Sequence, residues 1–256
     1  MGPKKRQQTE EEEEEEERVV RKSSRTNQAP KPSPSPSPAV DDDDDSSIDF
    51  TRSHRELLQY FMLIKVVEED LLVNRHAALL FGQTMSSAKV LSLISEINSM
   101  LHRREMGMEI KPREMSEFPG QFKVWGLVNT RDDEVSKMST PLDQWEVGLF
   151  QCAIKILAKD ESSGVVTTKA AWQALKATDN PPAGKSLEDS TACMDKLVKL
   201  KWLAATVSPG VYTVGARTLL ELPTVLRENG AEECPITKQV VIKTEAYMEW
   251  LAAAPK

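Results

Sequence analysis

The chain has 256 residues, 39% hydrophobic and only 5% aromatic, with three cysteines and a formal net charge of −7. That length leaves room for one or two domains, and so few aromatics suit a largely helical chain rather than an all-β one. The absence of any apolar run of ~18 residues argues against a transmembrane helix. MGPKKRQQTEEEE has no signal-peptide core, and the odd, scattered Cys152, Cys193 and Cys234 argue against a disulfide framework, so an intracellular protein with no membrane partner is expected.

The charge is uneven. Residues 1–51 hold 14 acids and 8 bases, whereas the rest holds 26 acids and 25 bases and is nearly neutral. A neutral body weakens any reading of the whole fold as an electrostatic clamp on nucleic acid, because phosphate neutralisation needs concentrated Lys and Arg. Residues 1–51 read as a disordered tail. Glu10–Glu17 and Asp41–Asp45 are unbroken acidic runs flanking a Pro-Ser repeat at 31–38, and such a composition has nothing to bury. Lys4, Lys5 and Arg6 are candidates for nuclear import. Ser46 and Ser47, with the Ser-Pro repeats, are candidate phosphorylation sites.

Order is expected from about Thr51. Leu57, Leu58, Phe61, Met62, Ile64 and Val67 make the apolar face of a first helix over 55–67. Glu68, Glu69 and Asp70 open a second helix, acids at its positive end, with Leu71, Leu72, Ala78, Leu79 and Phe81 following and Gly82 ending it. Ser86 or Ser87 caps a third, with Val90, Leu91, Ile94, Ile97 and Leu101 at helical spacing. Residues 108–111 and 122–128 read as strands around a turn at Pro119-Gly120. Three helices and a hairpin make a winged helix over 52–130.

The same element order recurs over 131–228. Thr140-Pro141 reads as a helix start, with proline at the first helical position. Leu142, Trp145, Leu149 and Ile156 supply its stripe. Gly164–Val166 reads as a short strand, and Thr167 or Thr168 caps a brief helix that Asn180-Pro181-Pro182 breaks. Ser186 and Asp189 form a capping signature, followed by a helix with Leu187, Thr191, Met194, Leu197 and Val198 on one face and Asp195, Lys196, Lys199 and Lys201 towards solvent. The period turns extended at 201–204, and Ser208-Pro209-Gly210 suits a type II turn into 211–214. A helix over 216–228 contains Pro223, which kinks it or marks an early start. Beyond Gly230 come a Cys-Pro corner, a strand at 239–243, and Tyr247, Met248, Trp250 and Leu251 at helical spacing.

Five segments in order carry a family resemblance: ISEINSML at 94–101 with EIK at 109–111, WGLVN at 125–129, VSKMST at 135–140, KLVKLKWL at 196–203, and VYTVGARTLLEL at 211–222. The chain resembles non-structural maintenance of chromosomes element 1, a subunit of the structural maintenance of chromosomes 5–6 complex, over about 53–242. The resemblance implies a mainly α fold with small β wings. Tandem winged helices dock on a MAGE-type subunit (element 3) with a kleisin subunit (element 4) nearby, in a nuclear complex for DNA repair and recombination. It also implies a C-terminal RING that binds zinc and supports ubiquitin transfer. Here the sequence departs. Cys234 stands where the first RING cysteine belongs, Thr237 occupies the position of its partner, and no Cys or His follows. Zinc needs four ligands, so 229–256 reads as a RING remnant and no cofactor is expected. Either the sequence stops short of the module or the module is lost.

No Gly-rich phosphate loop, metal-ligand spacing or nucleophile elbow is present. Cys152 and Cys193 read as structural thiols, and Trp125, Trp145, Trp172 and Trp202 as core anchors. Lys196, Lys199, Lys201, Arg103 and Arg104 are candidate DNA contacts, since the third helix of a winged helix commonly enters the major groove. Against that, Glu188, Asp189 and Asp195 share the helix, and no Arg or Asn in it reads bases. The leading expectation is a non-catalytic assembly subunit. The alternatives are a RING-type ubiquitin ligase whose zinc module is missing from this sequence and a winged-helix DNA-binding regulator.

Overall fold

Thr51 starts the first helix with a reciprocal cap: its hydroxyl accepts from the His54 amide while its own amide donates to His54 Nδ1. This leaves the ring proton on Nε2, which donates to Glu96 at 2.9 Å. The computed structural model describes residues 50–82, 85–120, 122–130, 141–159 and 162–254. The tail features, with Lys4, Lys5 and Arg6, lie outside the described residues, as do Thr140 and the VSKMST segment.

The first winged-helix unit contains α1 (Arg52–Ile64), β1 (Val66–Glu68), α2 (Glu69–Leu71), a π-helical turn (Leu72–His76), α3 (Ala77–Phe81), α4 (Ser87–Arg103), β2 (Met108–Met115) and β3 (Phe122–Asn129). Its antiparallel sheet runs β1-β3-β2. The edge of β2 is not left bare: Asn98 of α4 exchanges two hydrogen bonds with the Ile110 backbone, at 2.9 and 2.8 Å.

Two sequence expectations change here. The first helix stops at Ile64 because Lys65 adopts φ 66°, and Val66 and Val67, read as helix, form β1. The apolar stripe of the next helix is also re-phased. In the π-helical turn the Ala77 amide donates to the Leu72 carbonyl, so Leu72 and Ala77, five apart, are buried while Leu71 and Leu79 face outwards.

The second unit repeats the plan: α5 (Gln144–Leu157), β4 (Val165–Thr167), α6 (Thr168–Lys176), α7 (Leu187–Lys199), β5 (Leu203–Ala205) and β6 (Val211–Val214), with sheet order β4-β6-β5. The chain is therefore mainly α with small β wings, built from tandem winged helices. Pro141 is not helical; α5 begins three residues later, where Asp143 and Glu146 form a capping box. Ser186 and Asp189 cap α7 as their spacing predicts. The buried face of α7 is Ser190, Cys193, Met194 and Leu197, with Leu187 exposed at the helix start. The turn at 208–210 closes through a bond from Val211 N–H to Ser208 O, with Gly210 at φ 72°.

Two short helices, α8 (Ala216–Glu221) and α9 (Pro223–Glu228), replace the single helix expected over 216–228. Pro223 takes the first position of α9, where a missing N–H costs no bond. A hairpin of β7 (Glu232–Glu233) and β8 (Val240–Val241) precedes α10 (Glu245–Ala253); the strand is shorter than the 239–243 expected.

The two units do not merely follow one another. One buried cluster joins Val66, Met115 and Val124 of the first unit to Leu149, Trp202 and Val214 of the second. Leu220 of α8 packs where Gly126 of β3 has no side chain, and a Cβ there would lie 2.9 Å from its Cδ1. A separate cluster around Phe61, Leu72, Ile97 and Trp125 fills the first unit.

Candidate functional site

The lysines of α7 fall into two kinds. Lys196 Nζ lies 2.7 Å from Glu146 Oε2 of α5, and that carboxylate is nearly buried. The same oxygen accepts from the Asp143 amide at 2.8 Å. Asp195 stays exposed, accepting from the Tyr212 hydroxyl at 3.0 Å. Lys199 and Lys201 remain exposed. Arg103 and Arg104 are exposed at the end of α4, Arg104 lying over the Phe50 ring at 5.3 Å. The structure thus leaves two solvent-facing lysines near the α7–β5 corner and an arginine pair on the other unit.

Cys152 and Cys193 are quiet thiols. Burial raises Cys152 above the ordinary thiol value and pushes Cys193 up to about 12, with Glu146 adding to the shift. Cys234 is fully buried in a tight turn: its sulfur accepts from the Thr237 amide at 3.4 Å, its carbonyl from Lys238 at 2.9 Å, and its own amide donates to Gln239 O at 2.8 Å. Burial raises this thiol, but hydrogen bonds from Thr237 and Tyr247 outweigh it and hold the group below its ordinary value. Among the described residues no group of three or more His, Cys, Asp or Glu is placed to hold a metal ion. One thiol with Thr237 at the second ligand position does not fit zinc.

What sequence reasoning did not single out is a cleft of about 480 Å³ between the two units. Ile64, Leu71 and Phe122 line it from the first, and Val198, Leu203 and Ala205 from the second. Two of its apolar lining residues are exposed: Ile64 at 45% and Leu71 at 41%. Two such residues on one cleft exceed the single exposed apolar residues ordinary on a surface. Ile64 and Leu71 fall on the helical stripes expected from the sequence, and only the break at Lys65 and the π-helical turn bring them outside.

A sequence profile of the family described as "Nse1 non-SMC component of SMC5-6 complex" matches residues 54–222. The chain belongs to this family. The match spans both winged-helix units, cleft included, and stops before the Cys234 turn. Non-structural maintenance of chromosomes element 1 homologs of Pongo abelii and Homo sapiens are each 28% identical over 203 residues, covering 77% of this chain and 72% of theirs. A chain of a solved structure described as "Nse1-Nse3-Nse4 complex" shares the fold with a TM-score of 0.64, covering 80% of this chain and 93% of that one at 18% identity.

Proposed function

We propose that this chain is an assembly subunit of a structural maintenance of chromosomes 5–6 complex, acting in the nucleus in DNA repair and recombination. It docks on a MAGE-type subunit, element 3, with the kleisin subunit, element 4, alongside. The observation that carries this reading is the family match over both winged-helix units. The structural neighbour, an Nse1-Nse3-Nse4 complex, supports the choice of partners.

The cleft with its exposed Ile64 and Leu71 suits a protein partner better than a nucleic acid. Burying exposed leucines stabilises association by about 25 cal/mol per Å² of apolar area, and a phosphate backbone offers no such area. Direct contact with DNA, through Lys199, Lys201, Arg103 and Arg104, is a minor contribution shared with the partner. The segment after Gly230 is a RING remnant in position, and the residues present do not supply the zinc set on which ubiquitin transfer by such a module depends.

Co-expression of the full chain with element 3 of the same organism tests this. A stable one-to-one complex in size-exclusion chromatography with light scattering is expected. Separate elution of two monomers at micromolar concentration overturns the reading.

A further inference from the structure

Residues 231–254 pose a physical problem. A hairpin of two-residue strands and one helix enclose only Cys234, Val241 and Tyr247 as buried side chains, with Trp250 and Leu251 packed against them. So small a core does not hold a segment in place unaided, and a bound metal is the usual remedy. Among the described residues no zinc ligand set is present, yet Val240 and Ile242 pack into the main core. Something else must seat the segment.

The polar half of the seat lies in the first winged helix. Arg113 of β2 is 5% exposed, and its guanidinium reaches three separate parts of the chain. Nη2 donates to Glu117 Oε1 at 2.6 Å and to the Val240 carbonyl at 2.7 Å, while Nη1 donates to the Leu219 carbonyl at 3.4 Å. The Thr244 hydroxyl donates to the Glu117 carbonyl at 2.8 Å and accepts from Tyr247 N–H at 3.1 Å, capping α10. Gly164 completes the seat. A Cβ at that position would lie 2.7 Å from Thr244 Cγ2 and 3.0 Å from Ile242 Cγ2. The alternation of the strand does the rest, turning Val240 and Ile242 into the main core and Val241 into the small one.

We propose that the Arg113–Glu117 pair, with Thr244, takes over the anchoring role that a structural zinc fulfils in a RING, so that residues 231–254 form a metal-independent module clamped to the first winged helix. Arginine suits this role because its planar fork serves several acceptors at once. At Cys234 the Thr237 amide occupies the sulfur, and the turn is closed by backbone bonds rather than by a metal. The inference concerns how the segment is held and stands whether or not the chain assembles with element 3.

The test uses the purified full chain. Elemental analysis is expected to find zinc far below one per chain, and a chelator to leave the melting midpoint unchanged. Hydrogen exchange then reads the clamp. Arg113→Lys keeps the charge and loses the fork, and Thr244→Val keeps the shape and loses the hydroxyl. Each is expected to speed exchange in 232–253 at least tenfold while α1 and α7 stay protected. Should Arg113→Lys fail to fold, Thr244→Val decides alone. Stoichiometric zinc whose removal loosens 232–253, or protection unchanged in the variants that fold, overturns the proposal.

Discussion

Lys196 Nζ and Glu146 Oε2 are 2.7 Å apart, on helices fifty residues apart in sequence. A lysine that a recognition helix would offer to phosphate is instead the counter-ion of a carboxylate that also caps α5. The pair joins the two long helices of the second unit, and its cost and benefit are structural.

Lys196→Met is therefore expected to act on stability before it acts on any nucleic acid. The substitution leaves Glu146 with its capping bond but no cation. Because the lysine is partly exposed, a loss of about 1–2 kcal/mol is expected, measured by urea unfolding. A neutral effect on stability with a large loss of DNA retention would contradict this assignment.

Ile64 and Leu71 make the opposite prediction. Both are exposed in the free chain, so Ile64→Asp with Leu71→Asp is expected to change its unfolding free energy by about 0.5 kcal/mol or less. Affinity for element 3, measured by calorimetry, is expected to fall at least tenfold. Unchanged affinity would move the docking surface away from the cleft.

DNA binding by the chain alone is expected to be weak at physiological salt. Among the described residues only Lys199 and Lys201 are free at their corner, and Glu188 and Asp189 crowd the other end of α7. Lys199→Ala with Lys201→Ala is expected to lower the log–log salt slope of duplex binding by about 2 at most. A wild-type slope implying about six or more phosphate contacts would favour the DNA-regulator reading instead.

Glu69 supplies a pH prediction. Burial raises its carboxyl, but hydrogen bonds from Trp125 Nε1 at 2.6 Å and Lys123 at 3.0 Å outweigh that and hold it below the ordinary carboxylate range. A carboxyl depressed on folding stabilises the fold above its unfolded pKa and loses that contribution as pH falls through the folded value. The thermal advantage of wild type over Glu69→Gln is expected to be full at neutral pH and to shrink under acid. An advantage that does not change between pH 7 and pH 3 would refute the assignment.

Much of the fold was legible because its signals are local. Ser186 with Asp189, Ser86 before α4, and Pro209-Gly210 each act on the next few residues through an amide or a preferred φ, so their effects are read without knowing the rest. The apolar spacing of Val90, Ile94, Ile97 and Leu101 likewise places α4 and its buried face. β1 was missed because Val66 and Val67 satisfy a helical stripe equally well; only pairing with β3, some sixty residues away, makes them a strand. The start of α5 was misplaced for a similar reason: Thr140-Pro141 and Asp143 with Glu146 are competing start signals, and the latter satisfies two amides.

By itself the sequence determined most of the order of the elements and the family, because caps and periodicity are properties of neighbouring residues. Only the tertiary structure decided which charged and apolar groups remain available. Lys196 is spent on Glu146, Ile64 and Leu71 are left bare, and Arg113 reaches Leu219 and Val240, more than a hundred residues ahead. Whether a side chain meets solvent, a partner or a buried acceptor depends on what distant segments pack beside it, and no local pattern carries that information.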